Sequence, residues 1–145
     1  MRAPRLAETE TMSTPYDDLQ QSFGRCLREK NFIERFYEIF LDSHPEIRPM
    51  FARTDFQKQR MALRRGISAA IAHASGSSLS KSTMENMAHA HSRQGHAPVR
   101  PDLYPYWVDS LIKAIEETDP QVTPQLIARW RQGMQVVIDD FIRHY

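Results

Sequence analysis

The residues best able to do chemistry lie in the stretch Ser82-Thr83-Met84-Glu85-Asn86-Met87-Ala88-His89-Ala90-His91. Met84, Met87, Ala88 and His91 follow an i, i+3, i+4, i+7 series, the spacing of one face of a helix. His91 therefore shares an apolar stripe, whereas His89 points roughly 160° away around a 3.6-residue helix and meets water. An imidazole in such surroundings is either a hydrogen-bonded core residue or a neutral ligand for a metal or a heme iron. The stretch by itself leaves both open. Ser82 and Glu85 form a Ser-x-x-Glu pattern that predicts a capping box at the helix start.

Two other polar groups accompany that imidazole. Tyr37 falls on the apolar face made by Phe32, Ile33, Phe36, Phe40 and Leu41, so its hydroxyl needs a partner inside. Gln59 lies one turn before Leu63; it is either an inward amide or a half-exposed surface residue. An imidazole, a phenol, an amide and several phenylalanines include neither an activated nucleophile nor a carboxylate pair, which argues against hydrolysis. Such a set can hold a cofactor that supplies the chemistry. Cys-x-x-Cys, His-Glu-x-x-His, phosphate-binding glycine loops and Gly-x-Ser-x-Gly are all absent. His96 sits in the following loop and reads as a surface residue.

The elements that must position these groups are helical. Thr14 as N-cap and Pro15 predict a first helix with Tyr16, Leu19, Phe23 and Leu27 inward, and Cys26 as a small core residue. A second helix starts at Asn31 and is stopped by Pro45. After a short turn from Glu46 to Phe51, Asp55 caps a long helix with Phe56, Leu63, Ile67, Ala70 and Ile71 inward, broken at Gly76-Ser77-Ser78. Beyond the loop 92–100, Pro101 restarts a helix carrying Leu103, Tyr104, Trp107, Val108, Leu111 and Ile115. Thr123-Pro124 opens the last, with Ile127, Trp130, Met134, Val137, Ile138 and Phe141 as its stripe. No segment alternates with period two, so the expected fold is all-α, with five substantial helices and two shorter pieces.

The 145 residues make one domain, read as a loose tail over 1–12 followed by a folded domain over 13–145. Nineteen basic against eighteen acidic residues give +1 without charge blocks, which argues against nucleic acid or anionic membrane as partners. One cysteine, no secretory h-region and no apolar run of about 20 residues point to the cytoplasm.

The segment from Phe36 to Phe51, FYEIFLDSHPEIRPMF, resembles, with Leu41 at the second Phe position, the pattern F-Y-x-x-x-F-x-x-x-P-E-[IV]-[RK]-P-[LM]-F of bacterial single-domain globins and of the globin domain of flavohemoglobins. His91-Ser92-Arg93-Gln94-Gly95 and Pro101-Asp102-Leu103-Tyr104 are similar to the same family's H-S-R-x-G and P-E-L-Y. The resemblance runs from about Pro15 to the C-terminus. It implies a globin fold, a helical sandwich of six to eight helices around a heme b pocket. His91 would be the proximal iron ligand, Phe51 the ring stacked on the porphyrin, Tyr37 and Gln59 the distal pair and Leu63 the apolar residue over the iron. Met87 and Tyr104 would complete the cofactor contacts. Dioxygen, carbon monoxide and nitric oxide are the implied ligands, with gas binding or transport, or nitric oxide detoxification with an external reductase, as the function. A gas sensor acting through a partner and a heme-free interaction module on the same scaffold are the alternatives; monomer and homodimer both fit. Three departures stand out: a slightly longer loop between Gly95 and Pro101, Tyr145 where flavohemoglobins carry a glutamate in the last helix, and no reductase domain following.

Overall fold

Residues 15–29 and 31–145 are described by a computed structural model, and they form seven α-helices and no strand. These are α1 (Asp17–Leu27), α2 (Phe32–Leu41), α3 (Ile47–Met50), α4 (Phe56–Ala74), α5 (Lys81–Ala90), α6 (Tyr104–Thr118) and α7 (Pro124–Arg143), with 3₁₀ turns at Ser78–Ser80 and Pro101–Leu103. The all-α expectation holds. The tail over 1–12 and the Thr14 cap lie outside the described residues. Among the described residues no helix is long and apolar enough to cross a membrane.

Each apolar stripe finds its partner across the core. The closest pairs are α2 on α6 and α4 on α7, and α1 lies across α4, α6 and α7. Phe36, Leu111, Ile115, Ile67, Ile71, Trp130 and Met134 are all buried where these helices meet. Cys26 is fully buried, and burial pushes its thiol up to about 12, which suits an inert core residue. α1 crosses α7 at Gly133, where an added Cβ would stand 2.8 Å from Leu19 Cδ1.

Two helix starts are capped as expected. Asp55 accepts from the N–H groups of Gln57 and Lys58, and Thr123 from that of Leu126. Two boundaries differ. α2 ends at Leu41, before Pro45 could stop it, because the chain already turns at Asp42 and Ser43. The Ser82–Glu85 capping box does not form: the 3₁₀ turn capped by Ser77 runs directly into α5, which starts at Lys81. Ser82 and Glu85 are exposed.

One polar cluster has a buried carboxylate at its centre. Asp119, at the end of α6, accepts from Ser22 Oγ at 2.7 Å, from Arg25 Nε at 2.6 Å and Nη2 at 2.9 Å, and from the Gln121 N–H at 2.9 Å. Trp130 Nε1 donates to Ser22 Oγ at 3.0 Å, so α1, α6 and α7 are tied at one point. Burial opposes ionisation of Asp119, but the bonds from Arg25, Ser22 and Gln121 outweigh it and hold the carboxyl at about 2.

Because this carboxyl ionises below its ordinary 3.8 when folded, its contribution is present above that value and fades as pH falls toward 2. It amounts to on the order of 2 kcal/mol for a shift of this size. Asp119→Ala should cost about 2–3 kcal/mol at neutral pH by removing the acceptor shared by Arg25, Ser22 and the Gln121 N–H. Urea melts from pH 7 to pH 2 should show the loss narrowing across the acid limb; an equal loss at every pH would contradict the charge assignment.

Candidate functional site

Tyr37 faces inward from α2 with only 5% of its surface exposed. Its ring is wedged edge-on against Phe36, Phe56 and Phe51, at centroid distances of 5.0, 5.4 and 6.0 Å. Phe51, just past α3, stacks on Phe56 and meets the edge of Phe40, each at 6.0 Å. Gln59, on the first turns of α4, resolves the two readings of its position: it is half-buried, and its Nε2 donates to Tyr37 Oη at 3.1 Å. The phenol proton has only the Gln59 backbone carbonyl opposite it, at 3.5 Å, too long for a strong bond. Burial pushes the phenol up to about 12, partly countered by the Gln59 bond and the Arg60 charge. Tyr37 is therefore a protonated donor whose own oxygen is already satisfied. Leu63 follows one turn after Gln59 and is partly buried.

His91 is the residue on which α5 ends. Its Nδ1 lies 3.1 Å from the Ala97 carbonyl oxygen. A carbonyl can only accept, so in the neutral ring the proton is on Nδ1 and the lone pair on Nε2. Burial lowers the pKa of His91 and favours that neutral ring; the Ala97 bond opposes the shift and the His96 charge adds to it. Phe141 of α7 sets its edge against the imidazole at 5.7 Å, and Tyr104 meets Phe141 at 6.2 Å. Tyr104 is buried, and its phenol is pushed up to about 12. His89 and His96 are exposed.

The two groups of side chains sit on helices that touch. Met87, one turn before His91, reaches α4 at Gly66, where an added Cβ would be 3.3 Å from Met87 Cε. An ion pair from Arg100 Nη1 to Glu46 Oε1, at 2.6 Å, joins the segment leading to Phe51 with the loop that follows His91. Phe51, Leu63, Met87 and Val99 are packed on the core but only partly buried. A cleft of about 500 Å³ lies elsewhere, behind α5, between His73, Met84, His89 and Phe141; neither Tyr37 nor His91 lines it.

The structure thus brings Tyr37, Gln59 and Phe51 together. It sets Met87 against α4, and it connects Tyr104 to His91 through Phe141. Phe141 and the Ala97 carbonyl were not singled out for the site from sequence. Phe141 was visible as a stripe residue of the last helix, whereas a backbone acceptor leaves no residue signature.

Comparison with known proteins agrees with the all-α fold. The globin family model matches residues 34–141. A flavohemoprotein of Bacillus cereus is 27% identical over 129 residues, which cover 86% of this chain and 31% of that protein, so the chain spans about a third of this relative's length. A solved protein of Pseudomonas aeruginosa PAO1, PA3967, described as structurally highly homologous to a human hemoglobin, is 36% identical with a TM-score of 0.84. That match covers 89% of this chain and 96% of the other.

Proposed function

The chain belongs to the globin family, and from that premise we propose that it binds heme b and, through it, dioxygen and other diatomic gases. The observation that carries this reading is the His91 ring, with Nδ1 committed to Ala97 and the Nε2 lone pair left as a donor. The residues present fit the group. An imidazole lone pair is the donor heme iron takes, and the partly buried apolar surfaces of Phe51, Leu63, Met87 and Val99 suit a porphyrin. We assign His91 as the iron ligand, Phe51, Leu63 and Met87 as porphyrin contacts, and Tyr104 as support behind His91 through Phe141. When bound, heme supplies an iron that takes dioxygen, carbon monoxide or nitric oxide.

The chain's own residues set how such a ligand is held. Gln59 donates to Tyr37 Oη, and a hydroxyl that accepts one bond becomes a better donor in the next. Tyr37 thus offers its proton to a ligand carrying partial negative charge. Dioxygen gains from that donor, and carbon monoxide, being less polar, gains less.

The likeness to a flavohemoprotein favours a second reading, oxidation of nitric oxide by dioxygen to nitrate. One electron per nitrate must then be returned by a reductase, proposed here as a separate partner. Because Nδ1 meets a neutral carbonyl rather than a carboxylate, His91 is less anionic, which raises the reduction potential and eases that return.

Hemin titration read at the Soret band tests the assignment. His91→Ala should lose stable binding, while His89→Ala and His96→Ala, both at exposed positions, keep it; loss in His89→Ala with retention in His91→Ala would reverse the ligand. No Soret band in the wild type even with added hemin would make the chain a heme-free interaction module.

Stopped-flow dissociation tests the distal pair. Tyr37→Phe removes a hydrogen bond worth about 1.5–3 kcal/mol, which should speed dioxygen release roughly 10- to 150-fold, with a smaller change for carbon monoxide. Gln59→Leu should do less, since it only weakens the phenol. Equal rates in all three proteins would show that neither side chain reaches the ligand.

Nitrate production tests the second reading. It should continue only with both a reductase and reduced nicotinamide present; continued turnover on reduced nicotinamide alone would remove the need for a partner.

A further inference from the structure

The chain leaves α5 by folding back on it. Ser92 N–H bonds to His89 O at 3.1 Å, Gly95 N–H to Ser92 O at 3.0 Å, and Ser92 Oγ also donates to His89 O at 2.7 Å. The peptide groups then return to the helix end. Ala97 N–H donates to Ala90 O at 3.0 Å, Val99 N–H donates to His91 O at 3.0 Å, and Ala97 O accepts from His91 Nδ1 at 3.1 Å. One residue, Ala97, thus serves a free carbonyl of the last turn and the imidazole together.

This return passes over Gly95 with no room for a side chain. A Cβ there would fall 2.2 Å from the carbonyl oxygens of both His89 and Ala90, and 2.5 Å from the Ala90 carbonyl carbon. All three are backbone atoms, so no rotamer change relieves the clash. A carbon needs about 3.3 Å from such an oxygen, so the loop would have to lift by about 1 Å. A lift of that size is enough to break the bond from His91 to Ala97.

We infer that Gly95 is a positioning residue for His91: its bare backbone lets the Ala97 carbonyl take the Nδ1 proton, which leaves Nε2 as the ring's lone pair. A free histidine side chain favours the proton on Nε2, so the loop selects the tautomer that the isolated ring disfavours. The consequence for iron rests on the proposed role of His91; the tautomer itself does not.

The test is nitrogen–proton correlation NMR on the full-length, ¹⁵N-labelled, heme-free chain at neutral pH, with the His91 signals assigned through His91→Ala. Wild type should carry the proton on Nδ1, as should Gly24→Ala, a control whose added Cβ meets nothing within 4 Å. Gly95→Ala, with its helical circular dichroism retained, should move the proton toward Nε2 or average the two forms. Should Gly95→Ala fail to fold, Ala97→Pro deletes the N–H given to Ala90 without adding bulk at position 95, and the same shift is expected. Wild type with the proton on Nε2, or folded Gly95→Ala with the proton still on Nδ1, would overturn the inference. Hemin titration separates the two claims, because losing a ligand-orienting partner weakens metal binding roughly 10- to 100-fold. A changed tautomer with unchanged hemin affinity would uphold the role of Gly95 while counting against His91 as the ligand.

Discussion

A single hydrogen bond, from His91 Nδ1 to the carbonyl of Ala97, decides what the imidazole can do. With it, a neutral ring in apolar surroundings presents a lone pair on Nε2; without it, the same ring would favour an N–H there. The bond needs the loop after α5 to double back, and the loop needs its last-turn carbonyl partners and the glycine over which it passes. Phe141, carried by the final helix, fixes the ring's face from behind.

The Tyr37–Gln59 pair depends on a different constraint. Tyr37 and Gln59 come from separate helices, and their 3.1 Å bond exists only because α2 and α4 keep a fixed relation. The edge contact of Phe56 on Tyr37 holds that relation directly, while the Asp119 cluster ties α1, α6 and α7 elsewhere in the core. Burial has opposite consequences at these points. It keeps the phenol protonated and favours the neutral imidazole, but it fails to neutralise Asp119, because three donor groups converge there.

Much of this was legible in the residue pattern. Stripes of period 3.6 gave the helices their inward faces, and Asp55 and Thr123 marked two starts correctly. The Ser82–Glu85 box misled because a 3₁₀ turn starting at Ser78, four residues before Ser82, is capped by Ser77 and runs straight into the helix. The side of the helix on which His91 falls followed from spacing alone. Its tautomer did not, since every residue owns a carbonyl and only the folded loop says which one arrives. For Gln59 both readings were open, because an amide on a helix flank is inward or outward according to what the neighbouring helix offers. Gly95 was visible as part of a motif, but its reason is a 2.2 Å approach that no sequence displays.

The central claim is that His91 ties this fold to an iron. It is tested most directly by resonance Raman spectroscopy of the ferrous, heme-loaded chain, grown once with ordinary histidine and once with ring-¹⁵N histidine. The account predicts an iron–imidazole stretching band that moves to lower frequency with the heavier ring and is missing from His91→Gly until free imidazole is added. A band insensitive to the label, or one that persists unchanged in His91→Gly, would contradict it.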